Sequence, residues 1–274
     1  MPNDPASGPM LEFDKVSLRY GDSWALRDIS LTLNPGETRI IFGAAGSGKT
    51  TLLKAVIGLV EVDEGRIRLF GQEVTSLRES QLFGLRSSAG VLFQEGGLFD
   101  SLNIAENVAY PLLNQHAGQA PSLEEVDERV RESLRFVELE HTLDKFPSEL
   151  SGGMRRRVGI ARAVVTAPQL VLYDSPTAGL DPITANTIIN LILKGRDLNN
   201  TATIMVTHRY QDGHLMANFR YNPDSGKIER AESSQLTTRF FVMREGRLYF
   251  EGSEAELRAN TDPYVEKFAR PGSS

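Results

Sequence analysis

The sequence predicts an α/β fold, and three short stretches carry the prediction. TRIIF (38–42) is an apolar run that ends in a glycine-rich turn and passes into KTTLLKAVIGL, which has a helical pattern. LVLYD (170–174) is a second apolar run and stops at a single carboxylate, as a buried parallel strand does when it delivers one acidic group to a site. TIMVTH (203–208) is a third, separated from the second by a helix starting near Ile183. Strands that alternate with helices predict a parallel sheet. Ahead of it, LEFDKVSLRY (11–20) and LRDISLTL (26–33) alternate apolar and polar residues and predict antiparallel strands joined through GDSW. GRIRLFGQEV (65–74) has the look of a hairpin arm. From about Gln94 to Val165 the pattern turns helical, with acidic and basic residues interleaved in PSLEEVDERVRESLRFVEL. Beyond His208 the stretch FRYNPDSGKIERAESSQLTTRFFVMREGRLYFEG predicts two hairpins, with turns at NPDSG and REG.

The bulk numbers bound the partners. A chain of 274 residues holds one large or two small domains with a well-buried core. Its 40% hydrophobic and 24% charged residues are ordinary for a globular protein. The net charge of −6 argues against nucleic acid, since a polyanion binder is normally basic. The absence of cysteine excludes disulfides and thiolate metal sites and fits a reducing compartment. The start, MPNDPASGP, lacks the basic and apolar segments of a secretory signal and is expected to be a disordered leader over residues 1–9. No uninterrupted apolar run reaches the ~18 residues that a bilayer-spanning helix needs, so the chain is expected to be cytosolic unless a partner holds it at a membrane.

GAAGSGKT (43–50) satisfies the phosphate-loop pattern G-x-x-x-x-G-K-[ST] in full. Gly43, Ala44, Ala45, Gly46, Ser47 and Gly48 let consecutive backbone N–H groups point at phosphate oxygens, and the helix N-terminus adds favourable dipole charge. Lys49 is placed to reach the β- and γ-phosphates, the Thr50 hydroxyl to ligate magnesium, and Thr51 adds a second hydroxyl beside it. A glycine-rich turn that merely caps a helix is the bland alternative, and the strand before and helix after weigh against it. Asp174 is the second magnesium-shell group if the cradle is real, and a solvated strand-end acid if it is not. A P-loop NTPase (RecA-like) core follows, with an N-terminal antiparallel β subdomain and an inserted α-helical subdomain.

ELSGGMRRRVGIARA (149–163) narrows the class. Ser151, Gly152 and Gly153 open a helix with a hydroxyl at its mouth, a second anion-binding N-terminus in one chain. One nucleotide cannot easily use both ends within a monomer, so two copies facing each other are expected. Here the chain resembles the ATP-binding subunits of ABC transporters over nearly its whole length. The matching motifs are the Gly43–Thr50 cradle, Gln94 in VLFQE, LSGGM (150–154), LVLYD, GLDP (179–182) and VTHR around His208. The resemblance implies ATP and Mg2+ as ligands and a homodimer that drives an integral membrane permease. It implies that Gln94 senses magnesium and the attacking water, that His208 contacts the γ-phosphate, that Asp181 lies at the dimer seam and that Tyr20 stacks on adenine. Gln94 as a loop amide, His208 as a strand-end residue and Tyr20 as a surface aromatic are the plain alternatives. Arg155, Arg156 and Arg157 fall on different helix faces, which suits a solvated or phosphate-adjacent role better than a nucleic-acid stripe.

A narrower resemblance exists. LSGGM followed by RRRVGIARA, FQEGGLFDSLNIAENVAYPL (93–112) and NTDPYVEKFA (260–269) are similar to the ATPases of Mla-type, MCE-associated lipid transporters. That implies phospholipid or other hydrophobic cargo, an MCE-domain protein in the complex and a place on the cytoplasmic face of the bacterial inner membrane. An ABC ATPase for another cargo is the competing reading. Non-transport ABC proteins usually carry two cassettes or a long coiled-coil insert, and neither pattern is present. The expected division is a RecA-like core (10–93 and 166–211), a helical subdomain (94–165) and a C-terminal hairpin extension (212–270).

One position departs from the family. Its members usually place glutamate directly after the strand-end aspartate, and here Ser175 stands. A serine hydroxyl holds a water but is too weak a base to take its proton, and a positioned general base contributes about 10²–10⁴-fold in rate. Three outcomes stay open: His208 and Gln94 orient water unaided, Glu95 substitutes as a carboxylate, or the subunit is a nucleotide-gated clamp with little turnover. A second departure is the long connection from about Asp212 to Arg239, a decorated surface hairpin or a contact for the dimer mate or an accessory protein.

Overall fold

The computed structural model describes residues 8–114, 121–231 and 237–270. Of the expected leader, residues 1–7 lie outside the described residues, as does the side chain of Glu95. Period-two patterning at the start yields β1 (Leu11–Tyr20) and β2 (Ser23–Leu33), antiparallel, with Leu11 opposite Leu33 and Phe13 opposite Leu31. β3 (Thr38–Gly43) follows, then α1 (Lys49–Val56). β4 (Glu64–Leu69) and β5 (Gln72–Glu73) form the expected hairpin and complete a four-stranded sheet in the order β2-β1-β4-β5.

Next come α2 (Glu79–Arg86) and β6 (Ala89–Leu92), neither of which the sequence pattern signalled, because both are short and each carries a glycine. The helical stretch resolves into α3 (Ile104–Asn114), α4 (Leu123–Phe136) and α5 (Gly152–Val164). After it lie β7 (Leu170–Asp174), α6 (Pro182–Asn199), β8 (Ala202–Val206) and α7 (Tyr210–Asn218). The chain continues as the hairpin β9 (Phe219–Asn222) and β10 (Lys227–Arg230), then β11 (Thr238–Arg244), β12 (Arg247–Gly252), α8 (Glu254–Ala259) and α9 (Pro263–Glu266).

The main sheet has six strands in the order β12-β11-β3-β8-β7-β6, parallel except for the β12 edge. Its strands are buried on both faces, so alternate residues enter two cores. Ile41, Leu172, Ile204 and Val206 join α1 and the antiparallel sheet. Ile40, Phe42, Val171 and Met205 join α3 to α7 on the other side. This architecture ends β3, β7 and β8 side by side, and each carries a motif residue at its carboxyl end.

Both expected hairpin turns are present. Asn222 Oδ1 accepts the Asp224 N–H at 2.9 Å in the first, and Glu245 and Gly246 take left-handed backbone in the second. The reading of 212–270 as an appended extension needs correction. β11 pairs parallel with β3, Phe240 beside Ile40 and Val242 beside Phe42, and so lies inside the main sheet. Four consecutive apolar residues, Phe240–Met243, mark a strand buried on both faces, and the adjacent REG turn disguised it as a surface hairpin arm.

Candidate nucleotide site

β3 ends at Gly43, and the loop to α1 is the expected cradle. Gly46 and Gly48 have φ of +76° and +103°, which side chains rarely adopt, and a Cβ on Gly48 would lie 2.2 Å from the Ala25 carbonyl oxygen. α1 therefore starts on a residue without a side chain, and no side-chain cap satisfies its first amides. Lys49 Nζ donates to the carbonyls of Gly43 and Ala44, both at 2.8 Å, folding its ammonium back over the loop. Burial holds its pKa below the usual lysine value, and the Asp174 charge works against that shift. The Thr50 hydroxyl donates to Asp174 Oδ2 at 2.8 Å, so the hydroxyl of the cradle and the carboxylate of β7 converge on one point. Thr51 lies one residue further into α1 and lines the cavity beside the loop.

That cavity, of about 330 Å³, is also lined by Tyr20, Ser23 and Trp24. Tyr20 is 57% exposed, an unsatisfied aromatic face beside the phosphate loop. Trp24 was not legible as a site residue, since it reads as part of a turn. Its ring carries the Arg19 guanidinium at 3.7 Å, which covers one face. Tyr264 of α9 was also unexpected here. Its hydroxyl accepts the Ala44 N–H at 3.3 Å and donates to the Met243 carbonyl at 2.9 Å, joining the C-terminal stretch to the cradle.

Ser175 follows Asp174 in left-handed backbone, φ +49°, and its hydroxyl donates to Asp174 Oδ1 at 3.2 Å. Its amide donates to the Val206 carbonyl at 2.9 Å, which draws the loops after β7 and β8 together. His208 is exposed in the middle of the second of these loops, between Thr207 and Arg209. Gln94 is exposed in the turn after β6, and Glu95 occupies the next position of that turn.

Ser151 caps α5, its oxygen accepting the Met154 N–H at 3.3 Å. Asp181 caps α6, accepting from the amides of Ile183 and Thr184, both at 3.0 Å. Hydrogen bonding from Thr184 holds the Asp181 carboxyl below the usual range. The two turns touch: a Cβ on Gly153 would lie 2.6 Å from Thr184 Cγ2. Ser151, Gly152 and Asp181 thus share one exposed surface. The arginines behind them are spent internally, Arg155 on the Leu150 carbonyl at 2.6 Å and Arg157 on the Val137 carbonyl at 3.1 Å, with Arg156 buried.

The ABC transporter family model matches residues 26–178. The chain belongs to the ABC transporter ATP-binding family. Among curated relatives it is 31% identical over 259 residues to the intermembrane phospholipid transport system ATP-binding protein MlaF of Escherichia coli K12, covering 94% of this chain and 88% of that one. It is 37% identical over 201 residues to the probable ribonucleotide transport ATP-binding protein mkl of Mycobacterium tuberculosis H37Rv, covering 73% of this chain. It spans only 55% of that mycobacterial protein. It is 39% identical over 202 residues to the methionine import ATP-binding protein MetN of Clostridium tetani, 74% of this chain and 62% of MetN. A solved ATP-binding cassette, dimeric in a post-hydrolysis state with ADP and Pi, superposes with a TM-score of 0.74 at 28% identity, covering 89% of this chain and 98% of that one. The cassette cbiO1 of Clostridium perfringens superposes at 0.72 with 28% identity, covering 93% and 92%. As a member of this family, the chain has the α/β fold of its solved relatives.

Proposed function

We propose that two copies of this ABC protein sandwich two ATP molecules and couple their hydrolysis to a membrane permease. The observation that carries the reading is the Thr50–Asp174 hydrogen bond of 2.8 Å beside the uncapped N-terminus of α1. Two hard oxygen donors at one point suit a magnesium ion that takes its other ligands from phosphate, water and Gln94. They suit it better than a protein-only metal cage would, and no cluster of three or more metal-binding side chains occurs among the described residues. Bound magnesium would neutralise charge on the transferring phosphoryl group. The chain's own groups do the rest. The amides of Gly46 to Thr51 hold phosphate, and Lys49 exchanges its two carbonyl partners for phosphate oxygens. Tyr20 and Trp24 wall the base. Ser151 and Gly152 of the facing copy supply the second anion site, with Asp181 at the seam. A subunit division into a RecA-like core and a helical arm over 94–165 follows the family.

His208 and Gln94 orient the attacking water while Ser175 holds it without taking its proton, so turnover is slow to moderate. The serine also supports a second reading, a nucleotide-gated clamp that cycles little. The permease end is supported by a cavity of about 610 Å³ between α2, β6 and α3, where Leu59, Phe83 and Phe99 are large exposed apolar residues. A short amphipathic helix of a permease on the cytoplasmic side fits it. No described helix is long and apolar enough to cross a membrane. The near full-length similarity to MlaF favours phospholipid or other hydrophobic cargo, an MCE-domain partner and the cytoplasmic face of a bacterial inner membrane.

Turnover by the purified full chain tests the reading, with Ser175→Glu and Glu95→Gln beside the wild type. Release of phosphate that requires both ATP and magnesium supports it, and Ser175→Glu raises the rate at least about tenfold if the missing base limits it. An unchanged rate in Glu95→Gln removes Glu95 as the substitute base. A wild type with no phosphate release and no ATP-driven dimer defeats both readings.

A further inference from the structure

The loops that follow β7 and β8 carry Ser175 and His208, and a buried carboxylate joins them. α7 starts two residues after His208, and its Gly213 lies against the main sheet. A Cβ there would come within 2.9 to 3.1 Å of Phe240, Phe42 and Ile40. That approach drives the neighbouring Asp212 under both loops, where it is 1% exposed. Asp212 Oδ2 accepts two hydroxyls, from Thr177 and, at 2.8 Å, from Thr207. The Thr207 oxygen in turn accepts the Arg209 N–H at 3.1 Å, so the residues on both sides of His208 are held. Arg209 Nε stands 3.9 Å from Asp212 Oδ1 and partly offsets the buried charge. Burial raises the Asp212 pKa, the threonine hydroxyls and the Arg209 charge opposing. Nothing in packing alone calls for an acid here, since an apolar residue avoids the desolvation cost. Thr177 lies two residues after Ser175, whose left-handed backbone persists only where its surroundings hold it.

We propose that Asp212 is a positioning residue for ATP hydrolysis, a latch that fixes His208 and Ser175 relative to each other through the hydroxyls of Thr207 and Thr177. The proposal rests on the ATPase reading above. It makes the two loops one mechanical unit, while the ties of Lys49 to the Gly43 and Ala44 carbonyls and of Thr50 to Asp174 do not pass through Asp212. Loss of the latch therefore acts on the chemical step and spares ground-state binding of ATP.

Steady-state hydrolysis by the full chain, titrated with ATP at saturating magnesium, tests it. Asp212→Ala is expected to lower kcat about 10- to 100-fold with KM for ATP within about twofold, the scale of a misplaced catalytic group. Asp212→Asn, whose amide oxygen accepts both threonine hydroxyls, is expected to recover the rate to within about threefold, which loss of bulk packing would not predict. In a His208→Ala background, Asp212→Ala should cost less than about twofold more, because both changes remove one function. Should Asp212→Ala fail to fold, Thr177→Val cuts one tie and carries the same comparison. An Asp212→Ala rate equal to wild type, effects that multiply with His208→Ala, or a KM that rises in step with the fall in kcat each overturns the latch while leaving the ATPase reading intact. A wild type without turnover overturns that reading and the latch with it.

Discussion

The two helix N-termini proposed to hold phosphate are built in opposite ways. α1 begins at Gly48 with its first amides uncapped, while α5 begins at Ser151, whose own oxygen accepts the Met154 N–H at 3.3 Å. The first end has no side-chain partner for its first amides and leaves them open to water or to an external anion. The second is satisfied by itself and keeps only its hydroxyl proton and remaining amides to offer. Under the proposed function, the difference suits α1 to the tight, primary hold on phosphate. It leaves to α5 a conditional contact that costs the isolated chain nothing to forgo.

The largest test of this contrast is Lys49→Ala, which should weaken ATP binding at least about 100-fold, the loss of a charge-assisted contact in a desolvated cradle. Trp24, the chain's single tryptophan, borders the cavity and gives a fluorescence readout. Ser151→Asp comes next. It keeps an N-cap, so its melting temperature should stay within a few degrees of wild type, yet its carboxylate repels a facing phosphate and kcat should fall about tenfold or more. Ser151→Ala should do the reverse in stability, losing about 1 kcal/mol by denaturant melt.

Gly48→Ala lies between the two ends in kind. The methyl would meet the Ala25 carbonyl, and a destabilisation of about 1–3 kcal/mol is expected from the strained backbone.

The smallest effect is a pH dependence. Burial raises the Asp212 pKa, against the opposing threonines, Arg209 and His208, so the folded chain binds this proton more readily than the unfolded one. Its contribution to stability is greatest below the unfolded value and is lost as pH rises through the raised one. Asp212→Asn, which cannot ionise, should gain in melting temperature relative to wild type between about pH 4 and pH 7. A difference that shrinks over that range contradicts the sign.

How far these features were legible follows from the length over which each is specified. The cradle is one contiguous octapeptide, and the strand and helix flanking it are read from a period of two or of 3.6. Asp174, Ser151 and Asp181 are likewise set by their immediate neighbours, a strand end and two helix caps. Besides the short α2 and β6 and the Tyr264 contact, three features were not legible. β11 enters the sheet beside a strand 200 positions earlier, Thr238 opposite Thr38, a pairing with no local signature. Asp212 reads as one polar residue in an unremarked helix, because Thr177 and Thr207 meet it only through the fold. Trp24 lines the cavity beside the cradle because β1 and β2 lie next to that loop, and nothing in GDSW announces that.

The Tyr264 hydroxyl that receives the Ala44 amide is separated from it by 220 positions. A ribosome finishes the octapeptide early in synthesis, but this stopper for its rim emerges only much later. The nascent polypeptide therefore carries a recognisable phosphate motif long before the hydroxyl that ties down its second residue has been made.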